Sequence, residues 1–302
     1  MKKIFVRLYL MLKRVLGKVD LLSEEMKFRD FSNGNISKYS WNFHDNLSKE
    51  GLVLSSYSGK SFVLNAKIGD EIETTIIVNK IWDKPILDLM HHFISAKIKG
   101  IVLDIGANIG AVSIPLALNN PQITFLCFDP HPVIFKRLSG NIELNNLQNV
   151  KPYQVALSNQ TKQLEFYAQT ENKNMGLSSL TPVENIRTEK IIVDAFTGDD
   201  FLKAKHPEEI IMIKIDVQGV EKDVLVGLTQ SIQRDKPVIV FEHEDAILGK
   251  DAQVIRSWVA EFFEKNNYKL YLASGSIIDS LFYPKVDLSK EFNGNIIAIY
   301  QK

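Results

Sequence analysis

The chain of 302 residues contains a single cysteine, carries no formal net charge at neutral pH, and has no apolar run long enough to span a membrane. One thiol cannot form an internal disulfide, so a reducing, cytoplasmic setting is expected, and Cys127, in an apolar strand context, reads as a small buried hydrophobe. With 36 basic and 36 acidic residues there is no bulk attraction to a polyanion, so no nucleic-acid partner is expected. A spanning helix needs about 20 apolar residues, and none is offered. Internal repeats and low-complexity linkers are absent as well. So is a Gly-x-Gly-x-x-Gly loop, which disfavours a pyrophosphate-bearing dinucleotide and with it a nicotinamide dehydrogenase. What remains, 45% hydrophobic and 24% charged, is an ordinary globular composition of one large domain or a domain plus an extension.

Two regions differ in pattern. In residues 1–80, Lys2, Lys3, Arg7, Lys13, Arg14 and Lys18 precede the first acid, Asp20, while Ile4, Leu8, Met11, Leu12 and Val15 recur at helical spacing. This predicts a basic amphipathic helix over residues 1–18, suited to peripheral contact with an anionic membrane or to packing on protein. Its basic residues interrupt the apolar stretch, which argues against a cleaved signal peptide. Strand-like runs follow at Leu52–Leu54, Ser61–Leu64 and Thr74–Val78. From Ile81 to Ile98 the apolar stripe Trp82, Ile86, Leu89, Met90 and Phe93 predicts a helix.

Residues 81–302 then alternate strands and helices. Strands are expected at Ile101–Ile105, Gln122–Asp129, Val150–Leu157, Ile210–Asp216, Pro237–Glu242, Tyr268–Leu272 and Asn295–Tyr300, with helices at Pro132–Leu144, Gly219–Leu228 and Ala252–Asn266. Near-continuous apolar strands in such alternation imply an α/β fold, doubly wound, with a mostly parallel seven-stranded Rossmann-like sheet covered on both faces. Ligands of such sheets bind at the carboxyl ends of the strands, near the switch in strand order.

The segment Val102 to Gly110 is a short apolar strand entering an Asp-x-Gly-x-x-x-Gly turn. Gly106 and Gly110 permit a tight turn and close approach of a ligand, in a spacing that suits a nucleoside without phosphates, such as S-adenosylmethionine. Asp104 can accept hydrogen bonds from its amino-acid tail. Asp129 ends the next strand at the ~20-residue offset where related folds place an acid on ribose hydroxyls; capping the helix that follows is the alternative. Further carboxylates end the fourth and fifth strands, at Asp216 and Glu242.

The blocks VLDIGANIG (102–110), FDPHP (128–132), ALSN (156–159), GLSSL (176–180), DDFL (199–202), IKIDVQGVEKDVLVG (213–227) and IVFEH (239–243) resemble the FkbM family of S-adenosylmethionine-dependent methyltransferases. The resemblance covers roughly the last two thirds of the chain, and IKIDVQGVE is its most specific block. It implies a class I methyltransferase domain and O-methylation of a sugar, glycan, polyketide or similar small molecule. It also implies cofactor contacts from Asp104, Gly106, Ala107, Asn108, Gly110, Asp129, Ala156 and Ser158. The family usually has Glu at the positions of Gln218 and Asp129. Asp129 keeps the ribose chemistry, whereas Gln218 removes a charge beside Asp216. An Asn/Asp-Pro-Pro-Tyr element, which would favour a nucleobase amine, is replaced by Asp216-Val-Gln-Gly. A protein or nucleic-acid nitrogen, or a non-catalytic cofactor-binding scaffold, are the other readings.

An alcohol is a poor nucleophile at neutral pH, so a base or a metal is expected beside it. His243, at a strand end with an ordinary pKa of ~6.5, is the expected base, with Asp216 and Lys214 as further catalytic candidates. Asp216, Glu221 and Glu242 are alternatively spaced to hold Mg²⁺, although Glu221 also suits the first turn of a helix. Substrate contacts are expected from Ser178, Ser179 and Glu242. His131 is expected on the adenine side or in a loop, and His91-His92 to be structural. Homo-oligomerisation is left open.

Overall fold

The computed structural model describes residues 50–68, 70–169, 178, 180, 188–205, 208–273 and 284–301. The basic segment 1–18 and Ser179 lie outside these residues. The first described element is an antiparallel hairpin, β1 (Glu50–Tyr57) and β2 (Lys60–Lys67), turned by Ser58 and Gly59. Both turn residues have positive φ, the twist-matched geometry of a tight hairpin. Two helices follow, α1 (Glu71–Asn79) and α2 (Lys84–Ser95).

Helix α1 corrects the strand expected at Thr74–Val78. Its β-branched run has strand propensity, but Asp70 caps the helix by accepting from the Glu73 amide, and Ile76 and Ile77 face the core. Capping and burial on one face outweigh intrinsic preference.

The seven-stranded sheet has the order β11-β12-β10-β9-β3-β4-β5. Its members are β3 (Ile101–Ile105), β4 (Thr124–Phe128), β5 (Val150–Tyr153), β9 (Ile210–Ile215), β10 (Val238–Glu244), β11 (Tyr268–Leu272) and β12 (Asn293–Tyr300). Strands β5, β4, β3, β9 and β10 run parallel, and β12 is antiparallel to both neighbours. The order reverses between β3 and β9, which places the ligand crevice at their carboxyl ends. The expected third strand is split. Tyr153 ends the pairing with β4, whereas β6 (Ala156–Leu157) joins a separate three-stranded sheet with β7 (Lys162–Gln169) and β8 (Thr188–Phe196).

Helices cover both faces. Along β3 every residue is buried, with Val102 in one apolar cluster and Leu103 and Ile105 in the other. The first cluster carries α3 (Ser113–Asn119) and α4 (Pro132–Leu144), and continues across residue 80 into Ile76, Leu64 and Phe62. Side-chain amides on α4 complete the edge of β2: Asn145 accepts from the Val63 amide (2.8 Å) and Asn141 from the Asn65 amide (2.7 Å). Arg137 of α4 pairs with buried Glu73 of α1. The second cluster carries α5 (Gly198–Lys205), α6 (Glu221–Gly227), α7 (Thr229–Asp235) and α9 (Ala252–Lys265), with α8 (Asp245–Leu248) a single turn after β10.

Candidate active site

A cavity of about 430 Å³ opens at the carboxyl ends of β3, β4, β9 and β10. One side is the turn after β3, where Gly106, Ala107 and Asn108 present backbone to the cavity. Gly106 has φ +81°, and a Cβ there would lie 1.8 Å from the Asp216 carbonyl oxygen. The close approach that requires glycine is therefore to the β9 backbone, which still pairs with β3 through the Asp216 amide and the Ile105 carbonyl (2.9 Å). Gly110 lies beneath the cavity, its α-carbon packed on the methyl ends of Ile114 and Leu138.

Asp129, at the tip of β4, accepts from the amides of Asn108 (3.1 Å) and His131 (3.0 Å), which ties the glycine turn to the next strand. Burial pushes its pKa up to about 7 against those two hydrogen bonds. The helix cap is His131 instead: its Nδ1 accepts from the Val133 amide (3.2 Å), and burial holds the imidazole neutral. His131, Ala156, Phe166 and Ser178 line the same side. Ser178, expected at the substrate, lines the cavity, and its hydroxyl accepts from the Gln169 amide (2.9 Å) at the end of β7.

The other side is an ionic network. Lys214 Nζ lies 3.2 Å from Asp216 Oδ2 and 3.6 Å from Asp104 Oδ1, with its side chain 10% exposed. Asp104 accepts from Ser113 through Oδ2 (2.5 Å), while buried Oδ1 has no hydrogen bond and faces the Lys214 ammonium. Asp104 thus lies under the cavity floor and binds the chain's own lysine. Burial opposes the charge on Lys214, but Asp216 and Asp104 outweigh it and raise its pKa. Burial likewise opposes ionisation of Asp216, and Lys214 outweighs it, holding that carboxyl below its ordinary range. Gln218 Nε2 donates to both Asp216 Oδ1 (3.1 Å) and Glu242 Oε2 (3.0 Å). Burial first, then the Asp216 charge, push the pKa of Glu242 up to about 9 against the opposing pull of Lys214. The departure at Gln218 therefore supplies a donor that bridges two carboxyl groups, in a backbone with φ +57°.

Strand parity decides which expected residues meet. Asp104, Lys214 and Glu242 share a face with Val102, Met212 and Val240 of the first cluster. His243, one residue beyond Glu242, must point the other way. It lies near Phe292, buried, with Nε2 3.1 Å from Asp245, which also holds Arg256 and the Phe292 amide. The structure does not bring His243 into the cavity, and burial lowers its pKa. Ser158 is also outside: its amide bonds Phe196 and its carbonyl lies where a Cβ on Gly227 would be. The expected Mg²⁺ set is not assembled. Glu221 turns back to accept from the amides of Val217 (3.2 Å) and Gly219 (3.1 Å), while Asp216 and Glu242 are engaged by Lys214 and Gln218. Among the described residues no three His, Cys, Asp or Glu side chains are grouped to hold a metal ion.

Four residues upstream of the sheet escaped the sequence reading of the site. Trp82, with Glu71 and Ile72, walls the cavity from the region before the first sheet strand. Asp83 caps α2 by accepting from the Ile86 amide (3.3 Å), with φ +40°, close enough for its charge to act on Lys214 and Asp216. The helical stripe had placed Trp82 in the core alone; only its place at the helix start, beside a capping Asp, signals an exposed edge.

Comparison with known proteins agrees with this geometry. The family described as the methyltransferase FkbM domain matches residues 104–270. Methyltransferase 1 of Beauveria bassiana is 31% identical over 143 residues, 42% of this chain and 57% of that protein. The 2-O-methyltransferase NoeI of Sinorhizobium fredii is 27% identical over 157 residues, 48% of this chain and 63% of its own. The hexuronic acid methyltransferase AglP of Haloferax volcanii is 25% identical over 144 residues, 47% of this chain and 56% of its own. The chain spans less than two thirds of the length of these relatives.

Proposed function

Because the chain belongs to the FkbM methyltransferase family, we propose that it transfers the methyl group of S-adenosylmethionine to a hydroxyl of a sugar, glycan, polyketide or similar small molecule. The observation that carries this reading is the division of one cavity into a glycine-turn side, with Asp129 at its edge, and a side bearing Asp216 and Glu242. The residues fit the cofactor's chemistry. Among the described lining residues the one lysine, Lys214, is committed to Asp216 and Asp104, and no arginine is present, so no described lining side chain is a cation free to pair with a pyrophosphate. Carboxyl groups and bare backbone suit a cationic, phosphate-free nucleoside. The names of two relatives, a 2-O-methyltransferase and a hexuronic acid methyltransferase, support transfer to oxygen and to a sugar.

When bound, S-adenosylmethionine supplies an electrophilic methyl group on a sulfonium. Asp129 is placed to accept from ribose hydroxyls while its other lone pairs hold the turn. Asp216, kept ionised by Lys214, would take the acceptor's hydroxyl proton while the methyl carbon exchanges its bond to sulfur, whose electron pair stays on the sulfur, for a bond to the acceptor oxygen. Alignment of this kind contributes up to ~7–11 kcal/mol to such displacements. Gln218 holds Asp216 and Glu242 in fixed relation. Calorimetry with S-adenosylmethionine and NAD, followed by an acceptor screen read as S-adenosylhomocysteine formed, tests the reading. Binding of S-adenosylmethionine alone, weakened about 10- to 100-fold in Asp129→Ala, is expected. Preference for NAD would overturn it.

A further inference from the structure

The acceptor side of the cavity is closed by residues that the family match does not reach. Glu71 and Ile72 open α1, and Trp82 precedes α2, all upstream of residues 104–270. They are held there by the hairpin's ties to α4, namely the Asn141 and Asn145 amides and the Arg137–Glu73 pair. Asp216, Glu242 and Glu244, from the ends of β9 and β10, line the same cavity. The surface offered to an acceptor thus combines a half-buried indole with hydrogen-bond-accepting carboxyl groups.

This combination has a definite complement. A saturated ring polyol presents polarised C–H bonds on one face, which lie well against the electron-rich face of an indole. Its equatorial hydroxyls point outward, where carboxylates accept them. An added carboxylate on that ring would meet the Asp216 and Glu244 carboxylates, with protonated Glu242 between them in sequence, and no cation among the described lining residues is free to receive it, since the Lys214 ammonium is already shared between Asp216 and Asp104. Burial of an unpaired charge beside like charges is a strong means of rejection.

Resting on the methyltransferase reading above, we propose that Trp82 is the platform on which the acceptor ring lies, and that the carboxylates of Asp216 and Glu244 select neutral or amino-substituted saccharides over uronic acids. Ring stacking then lies in the segment between the hairpin and the sheet and charge selection at the ends of β9 and β10, and the cofactor half is left unaltered by changes at Trp82.

The test uses the full chain with S-adenosylmethionine and matched panels of methyl hexosides, methyl hexosaminides and methyl hexuronides, read as S-adenosylhomocysteine formed and as sugar binding by saturation-transfer NMR. Neutral and amino sugars are expected to exceed uronides at least 50-fold in kcat/KM. Trp82→Leu, which keeps apolar bulk but not the flat face, should raise the sugar KM at least 10-fold with an unchanged S-adenosylmethionine Kd, and Trp82→Phe should largely restore it. Glu244→Lys should narrow the gap to the uronides. Equal or better use of uronides overturns the charge selection. A cofactor Kd that shifts with the sugar KM in Trp82→Leu makes Trp82 merely structural and overturns its role as platform. Cofactor binding with no transfer to, or binding of, any saccharide overturns the saccharide assignment while leaving the cofactor reading intact, whereas no cofactor binding removes both.

Discussion

Replacing Gly106 by alanine tests the junction on which the whole site depends. At φ +81° an alanine already incurs about 1–2 kcal/mol of steric cost. Its Cβ would also lie 1.8 Å from the Asp216 carbonyl oxygen and 2.9 Å from the carbonyl carbon, both backbone atoms. Neither can rotate away. Relief requires β9 to shift from β3, which strains the 2.9 Å bond from the Asp216 amide to the Ile105 carbonyl and misplaces the carboxylate that follows. Overpacking of this kind and loss of a buried hydrogen bond put the total at about 3–6 kcal/mol, much of a typical domain's stability. Gly110 supplies an internal control. It has a similar φ of +85°, but the nearest atoms to a Cβ there are side-chain ones, Ile114 Cδ1 (2.8 Å) and Cγ1 (3.2 Å) and Leu138 Cδ1 (2.9 Å), which can change rotamer. Gly110→Ala should therefore cost about 2–3 kcal/mol. Urea unfolding followed by circular dichroism measures both. If Gly106→Ala proved no more destabilising than Gly110→Ala, the argument from backbone contact would be refuted.

Three other outcomes follow from the same geometry. The folded protein holds a proton on Glu242 up to about pH 9, whereas the unfolded chain releases it near its ordinary 4.5. Its contribution to stability is therefore complete below pH 4.5 and lost as pH rises toward 9, and Glu242→Gln should flatten that limb of the urea midpoint measured against pH. Lys214→Met leaves Asp104 buried without its counter-charge and should cost about 3–5 kcal/mol in the same unfolding assay; a change below 1 kcal/mol would show that the pair is not compensating. His243→Ala removes a partner of Asp245 outside the cavity, so it should lower stability by about 1–3 kcal/mol and leave methyl transfer within about threefold. A thousand-fold loss of turnover in a protein of normal stability would return His243 to the site.

The strands β3, β9, β10 and β11 were legible because buried parallel strands are nearly continuous apolar runs, and α4 and α9 because their stripes recur at helical period. The split between β5 and β6 was not, since a two-residue strand carries no period. At the site, Asp129, Asp216 and Glu242 could be named from their places at strand ends. Choosing His243 beside Glu242 overlooked that adjacent strand residues face opposite ways. Asp104 was legible as a motif residue, but its partner Lys214 is 110 positions away and meets it only through the pairing of β3 with β9.

By itself, the sequence determined the class of sheet, the position of its ligand crevice and the glycine turn beside it, because these follow from local period, local sterics and strand order. Tertiary structure alone decided what the turn is pressed against, which carboxyl groups share Lys214, and that Trp82, before α2, lines the cavity. Those are contacts between segments far apart in the chain, and no local pattern encodes the charge or surface that folding brings to meet them.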